Sequence, residues 1–247
     1  MSTAILERQE QRMTPPRAAW SARGSNGGGR PPLHSGDRLT RLEFEQRYEA
    51  NPDLKAELME GVVVVSSPVH ARAHSEPHSL IMAWLTVYRG ATPGTRMMDN
   101  VTLRIDRENV LQPDACLWIE GSGRAWIDQD DYLAGAPELV VEIAASSAAH
   151  DLHDKLRVYR RNGVQEYLVL VAYEREMRWF NWQMGEDRVI MPDGDGILRS
   201  QLFPGLWLDP PRLWQIDVAG LLALLQQGLA TPEHRALVET LAHQPGA

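Results

Sequence analysis

Three charged side chains stand where the surrounding pattern calls for apolar ones. Glu142 interrupts the run Leu139-Val140-Val141-Glu142-Ile143-Ala144-Ala145, which otherwise has the continuous apolar character of a strand buried on both faces. An ionised carboxylate there is costly unless a metal, a cation or several hydrogen bonds accompany it. Asp114 begins a comparable run, Pro113-Asp114-Ala115-Cys116-Leu117-Trp118-Ile119, where Pro113 suits a strand's first residue because no ladder donor is lost. Lys155 falls on the apolar stripe Leu152, Leu156, Tyr159 of a helix predicted from Asp151 to Arg161. That placement points it toward the core rather than outward with Arg157, Arg160 and Arg161.

Each feature has an ordinary reading when taken singly: an edge-strand glutamate facing water, a Pro-Asp turn, a lysine whose stem lies along the core while its ammonium stays wet. Together they support one another. An inward lysine just after a strand carrying an inward glutamate gives each charge a partner, and an aspartate on a neighbouring strand completes a site for a divalent cation. Two carboxylates with several waters suit magnesium (Mg2+) or manganese (Mn2+), hard ions that favour oxygen ligands. Phosphodiester hydrolysis needs such an arrangement, because the cation acidifies the attacking water and stabilises charge on the phosphate and leaving oxygen. The lysine would orient that water or offset developing negative charge.

The elements that must hold these residues follow from capping and periodicity. Thr40-Arg41-Leu42-Glu43 is a capping box for a short helix to about Ala50, ended by Asn51-Pro52. Ala56 to Glu60, Gly61 and Val62 to Val65 predict two strands about a tight turn. A long helix follows, with Leu80, Ile81, Trp84, Leu85 and Tyr88 on one face and Pro77 in its first turn. Strands are predicted near 95–105, 113–119, 138–144, 166–172, 177–182 and 187–191, and Asn162-Gly163 closes the helix bearing Lys155. From about Val218 a Leu-rich helical segment is expected to pack on the domain edge or on a partner subunit.

With 247 residues, 43% of them apolar, the chain is long enough to bury a sizeable core. No stretch approaches the roughly 18 uncharged apolar residues that span a bilayer, and the N-terminus lacks the layout of a signal peptide. No membrane partner and a cytoplasmic location are the expectation. The net charge of −8 argues against non-specific coating of nucleic acid, which needs clustered Lys and Arg, but leaves room for a local basic rim. Residues 1 to about 36 hold Pro15-Pro16, Gly27-Gly28-Gly29 and Pro31-Pro32 and read as a disordered tail, mildly basic with five Arg against two Glu.

Several other residues invite chemistry and are given simpler roles. Cys116 lies in an apolar strand and is expected to be a buried small hydrophobe. His70, His74 and His78 recur every four residues, yet Pro77 would start the helix near Ser75 and leave the first two in the preceding loop, so a zinc site is not favoured. His74 is expected beside the metal ligands or on a phosphate. His150 and His153 are expected to face solvent. Ser146-Ser147 lacks a glycine elbow and a placed base, and is expected to cap a helix or make a turn. The eight Trp residues are expected in core and edge packing.

The order Glu57-Leu-Met-Glu-Gly61, Gln112-Pro113-Asp114, Val141-Glu142-Ile-Ala-Ala-Ser-Ser147, Asp151-Leu-His-Asp-Lys155 and Asn162-Gly-Val-Gln-Glu-Tyr167 resembles the Uma-type restriction-endonuclease branch of the PD-(D/E)xK nuclease superfamily, over roughly residues 38–210. The resemblance implies an α/β (α+β) fold with a restriction-endonuclease-like mixed β-sheet flanked by helices, and metal-dependent cleavage of DNA. By motif match Asp114 and Glu142 would be metal ligands, Lys155 the catalytic lysine and Glu57 an acid contributed by the N-terminal part of the core. His74, Gln112 and Tyr159 are expected to support them. One departure is that the simple pattern places lysine two residues after the second acid, where this chain has Ala144; Lys155 on the following helix must substitute.

The resulting layout is a tail at 1–36, a nuclease domain at 37–210 and a helical extension at 211–247, with DNA as partner and a homodimer expected for double-strand cutting. Two rival readings stay open: a nuclease-fold module that does not catalyse and binds a protein partner through its C-terminal helices, and hydrolysis of a small phosphate ester.

Overall fold

The computed structural model describes residues 30–51, 53–66, 71–145, 150–183, 185 and 187–243, without the side chains of His150 and Asp151. Most of the expected tail, Pro52, His70, Ser146-Ser147 and the exposure of His150 therefore lie outside the described residues. In the last stretch of that tail Leu33 is buried beside Phe44, and Gly36 N donates to Val63 O at 2.9 Å. The packed unit accordingly reaches back past residue 37, to Pro32.

Thr40 accepts from Glu43 N at 3.3 Å and starts α1 (Arg41–Glu49). The β1 (Ala56–Met59) and β2 (Val62–Val65) hairpin turns through Glu60 and Gly61, at φ 52° and 73°, the paired left-handed geometry that matches strand twist. A π-helical turn (Ala71–Ser75) leads into α2 (Glu76–Ala91), whose predicted face is buried. The single strand expected over 95–105 is two, β3 (Thr95–Asp99) and β4 (Leu103–Arg104), because Asn100 at φ 47° turns the chain between them. Then follow β5 (Val110–Leu111), β6 (Ala115–Ile119), β7 (Ala125–Ile127), β8 (Leu133–Gly135) and β9 (Leu139–Ala144). A second π-helical turn (His150–Lys155) runs into α3 (Leu156–Arg161), so the predicted helix exists but its first turn is wider than an α-helix. Gly163, at φ 89°, provides the left-handed residue that ends it. The remainder is β10 (Glu166–Val171), β11 (Glu176–Asn181), β12 (Arg188–Val189), β13 (Leu198–Arg199), β14 (Trp207–Leu208), α4 (Pro210–Trp214), α5 (Val218–Leu229) and α6 (Pro232–Ala242).

The strands form two six-stranded mixed sheets, ordered β2-β1-β5-β4-β8-β7 and β12-β11-β10-β9-β6-β3, beside a small β13-β14 pair. In the second sheet β9 and β10 are parallel, Glu142 standing opposite Val169. Parallel neighbours require a crossover. Here α3 supplies it, and so the connection dictated by the sheet is the one that carries Lys155.

Side-chain alternation sorts the second sheet into two buried faces. Leu139, Val141 and Ile143 pack with Leu80, Ile81 and Trp84 of α2 and with Leu221 and Leu225 of α5, so the Leu-rich helix completes a core within its own chain. Val140, Ala144, Cys116 and Trp118 face the other way, onto Met59, Leu103 and Leu111 of the first sheet and Val158 and Tyr159 of α3. Of the described tryptophans, Trp84, Trp118, Trp179 and Trp182 are core residues as expected, whereas Trp126 is 53% exposed. Among the described residues no helix is long and apolar enough to cross a membrane.

Candidate active site

Glu142 sits on β9 between Val141 and Ile143, and alternation turns it to the face shared by Val140 and Ala144. Asp114 directly precedes β6, one step beyond the last antiparallel pair, Ala115 with Val141. Continuing that register sets Asp114 opposite Glu142 on the same face. Asp114 is fixed there by its neighbours: Oδ2 accepts from Ile143 N at 2.7 Å, and His74 Nε2 lies 3.1 Å from Oδ1.

Lys155 is the last residue of the second π-helical turn and the first flank of α3. Its Nζ lies 3.1 Å from Glu142 Oε1 and 3.1 Å from Glu57 Oε1. Glu57 reaches it from β1, in the other sheet, and also accepts from Gln112 N at 2.6 Å. Tyr159, one turn along α3, donates its hydroxyl to Glu142 Oε1 at 2.8 Å. The four charged residues are 3–7% exposed, so the whole group is withdrawn from water. Gln112 supports the site through its backbone only, because its side-chain amide donates to Tyr48 Oη at 2.7 Å.

Electrostatics follow from this geometry. Burial would drive the Asp114 carboxyl upward, but the bond and charge of His74, the Ile143 amide and the ammonium of Lys155 outweigh it and hold the group below its ordinary value. Burial, reinforced by the charges of Glu142 and Glu57, pushes the Tyr159 phenol well above its usual range, which keeps it a neutral donor. Burial likewise pushes the Cys116 thiol up to about 12, an inert group as expected.

Two residues were not anticipated. His78 Nε2 lies 3.1 Å from Asp99 Oδ1 and 3.1 Å from Asp114 O, joining the end of β3 to the carboxylate strand. His74 is not in a loop, as the position of Pro77 suggested: the π-helical turn continues the helix backward and sets its ring 5.6 Å from that of His78. The four-residue spacing of the two histidines is the available signal, and it brings both rings to Asp114. Asp99 had no sequence signal, being one acid at a strand end. His153 is exposed as expected.

The donor set agrees with a hard, largely hydrated cation. Among the described residues no three His, Cys, Asp or Glu side chains form a closed metal-ligand cluster, and magnesium or manganese needs none, taking one or two carboxylates and keeping several waters. Asp114 and Glu142 are the residues that would hold it. Three buried carboxylates, Asp114, Glu142 and Glu57, gather about Lys155, with His74 against Asp114, an oxygen-rich setting of the kind a hard divalent cation takes.

A parallel β-α-β unit with an acid on its first strand, a lysine on its crossover and a second acid across the sheet defines an α/β protein of nuclease-like fold. The chain belongs to the Uma2 family, whose description is "Putative restriction endonuclease" and whose model matches residues 41–211. The fold is shared with a solved structure described as "a putative nuclease belonging to DUF820" from Anabaena variabilis ATCC 29413. That match has a TM-score of 0.56 and 16% identity, covering 72% of this chain and 98% of that one. No curated protein matches the chain. The family resemblance and the mixed α/β fold class read from the sequence are thus both borne out, although the single sheet implied there is two.

Proposed function

We propose that this protein is an endonuclease that hydrolyses DNA phosphodiester bonds with bound magnesium or manganese, using Asp114 and Glu142 to hold the cation and Lys155 and Glu57 as the charged pair beside it. The observation that carries the reading is the Lys155 ammonium, held 3.1 Å from both Glu142 and Glu57 in a buried position next to Asp114. A lysine buried between two carboxylates, with a third acid across the sheet, suits a centre that handles a cation and a phosphate.

The cation, when bound, would supply Lewis acidity toward the phosphate and a more acidic water. The protein's own groups do the rest. Asp114 stays ionised because His74 and the Ile143 amide favour its charged form. Tyr159 orients Glu142 through a hydroxyl that does not ionise. Lys155 sits beside the carboxylates with a charge that can offset what accumulates on the phosphate as the leaving oxygen departs.

The test is cleavage of supercoiled plasmid in magnesium or manganese by wild type, Asp114→Ala and Lys155→Ala from parallel preparations. Nicking by wild type alone is the expected result. Equal activity in all three, which marks a contaminant, or none in wild type would remove the reading.

A further inference from the structure

An open cavity of about 630 Å³ lies on the far side of α3 from Lys155, lined by Arg124, Arg157, Arg160 and Arg161 together with Gln165 and Trp182. In a chain of net charge −8 this concentration of guanidinium groups on one wall is the opposite of the overall balance. We propose that this cavity is a docking surface for the sugar-phosphate backbone of DNA flanking the cleaved bond, a proposal that rests on the nuclease reading above.

Helical spacing creates the cluster. Arg157, Arg160 and Arg161 are three and four residues apart and share the outward side of the helix whose inward side presents Lys155 and Tyr159. A helix with its side chains is roughly 10 Å across, which fixes the separation of the reacting centre from the cationic wall. Each strand of a duplex advances about 3.4 Å of helix axis per phosphate, so DNA with its backbone at the centre spans that distance within a few nucleotides. Arg124 joins from the loop before β7, anchored by a bond from its guanidinium to Gly163 O. Arginine suits the task because its planar fork makes two parallel bonds to a phosphate.

The acids near this wall engage Arg157 and Arg160 only loosely. Arg157 pairs with Asp154 and Arg160 with Asp187, each at 2.8 Å, and the side chains of both pairs are 39–65% exposed. Exposed pairs of this kind are weak and exchange readily for a phosphate. Arg161 is shared between Glu60 at 2.6 Å and Asp106 at 3.7 Å and is the most committed of the three. Among the described residues Trp182 Nε1, on the same wall, is a buried donor without a hydrogen-bond partner, and Arg124 Nε, which also lacks one, lies 3.7 Å from Oε1 of the buried Glu138. The uncompensated N–H dipole of Trp182 adds to the positive potential that an anion meets at the wall.

The experiment is fluorescence anisotropy of a labelled duplex with EDTA present, so that binding is read without cleavage, for wild type, Arg157→Gln/Arg160→Gln, and Arg235→Ala on α6 as control. Thermal melts verify that all three fold. The expected result is about tenfold weaker binding by the double variant near 0.1 M salt. The slope of log affinity against log salt should also shrink by about two, with the control unchanged. A double variant with wild-type affinity and slope overturns the docking surface whether or not the protein cleaves DNA. Salt-dependent binding lost in the double variant supports the surface even if wild type fails to nick plasmid, in which case only the nuclease reading falls. Wild type that neither binds nor nicks removes both.

Discussion

The Tyr159 hydroxyl donates to Glu142 Oε1 at 2.8 Å from a fully buried position. Glu142 lies on a strand and Tyr159 on the helix that crosses over from it, so this contact records how tightly the crossover is seated on the sheet. Tyr159→Phe keeps the ring, which packs 5.1 Å from Tyr167, and removes only the donor to a charged acceptor. A loss of about 1.5–3 kcal/mol is expected, with slower plasmid nicking from a mis-set Glu142. Denaturant melts and nicking rates check this; an unchanged rate would mean that Glu142 needs no orientation from α3.

Lys155→Met retains the stem and deletes the charge between two buried carboxylates. Stability should fall by about 3–5 kcal/mol, the range for breaking one side of a buried ion pair. Nicking should drop by about a hundredfold or more if the ammonium offsets charge in the transition state. A variant that melts lower yet cleaves at the wild-type rate would assign Lys155 a structural role alone.

Adding magnesium should raise the melting temperature of wild type, because a ligand that binds only the folded state stabilises it, by about 2.7 kcal/mol at a hundred times its dissociation constant. Asp114→Asn should abolish that rise while keeping a side chain that can still accept from the Ile143 amide. A rise of equal size in the variant would place the ion elsewhere.

His234 offers a pH dependence outside the site. Its Nδ1 lies 2.9 Å from Leu229 O and its Nε2 2.9 Å from Thr92 Oγ1, and burial lowers its pKa from the ordinary 6.5. The folded state then binds a proton less readily than the unfolded chain. Stability from this group is complete above about 6.5 and declines as pH falls below it toward the lowered value. Melts at pH 7.5 and pH 5.5 should show a drop in wild type that is smaller in His234→Gln; parallel curves would exclude His234 as the source.

Sequence by itself determined the local facts. One carboxylate in an apolar strand, a lysine on an apolar helical stripe, a threonine cap before α1 and Gly163 after α3 are each written within a few residues, since alternation, helical period and capping act at that range. Glu142, Asp114 and Lys155 were therefore legible, and so was the β9-α3-β10 unit.

Tertiary structure alone decided which of these residues meet. Glu57 and Lys155 are far apart along the chain and touch because β1 belongs to one sheet while the lysine's crossover spans the other. Asp99 meets His78 because Asn100 ends β3 there and sends β4 into the first sheet. Sheet order sets these contacts, and it arises from the burial of whole faces against one another, a sum over many residues that no local pattern contains.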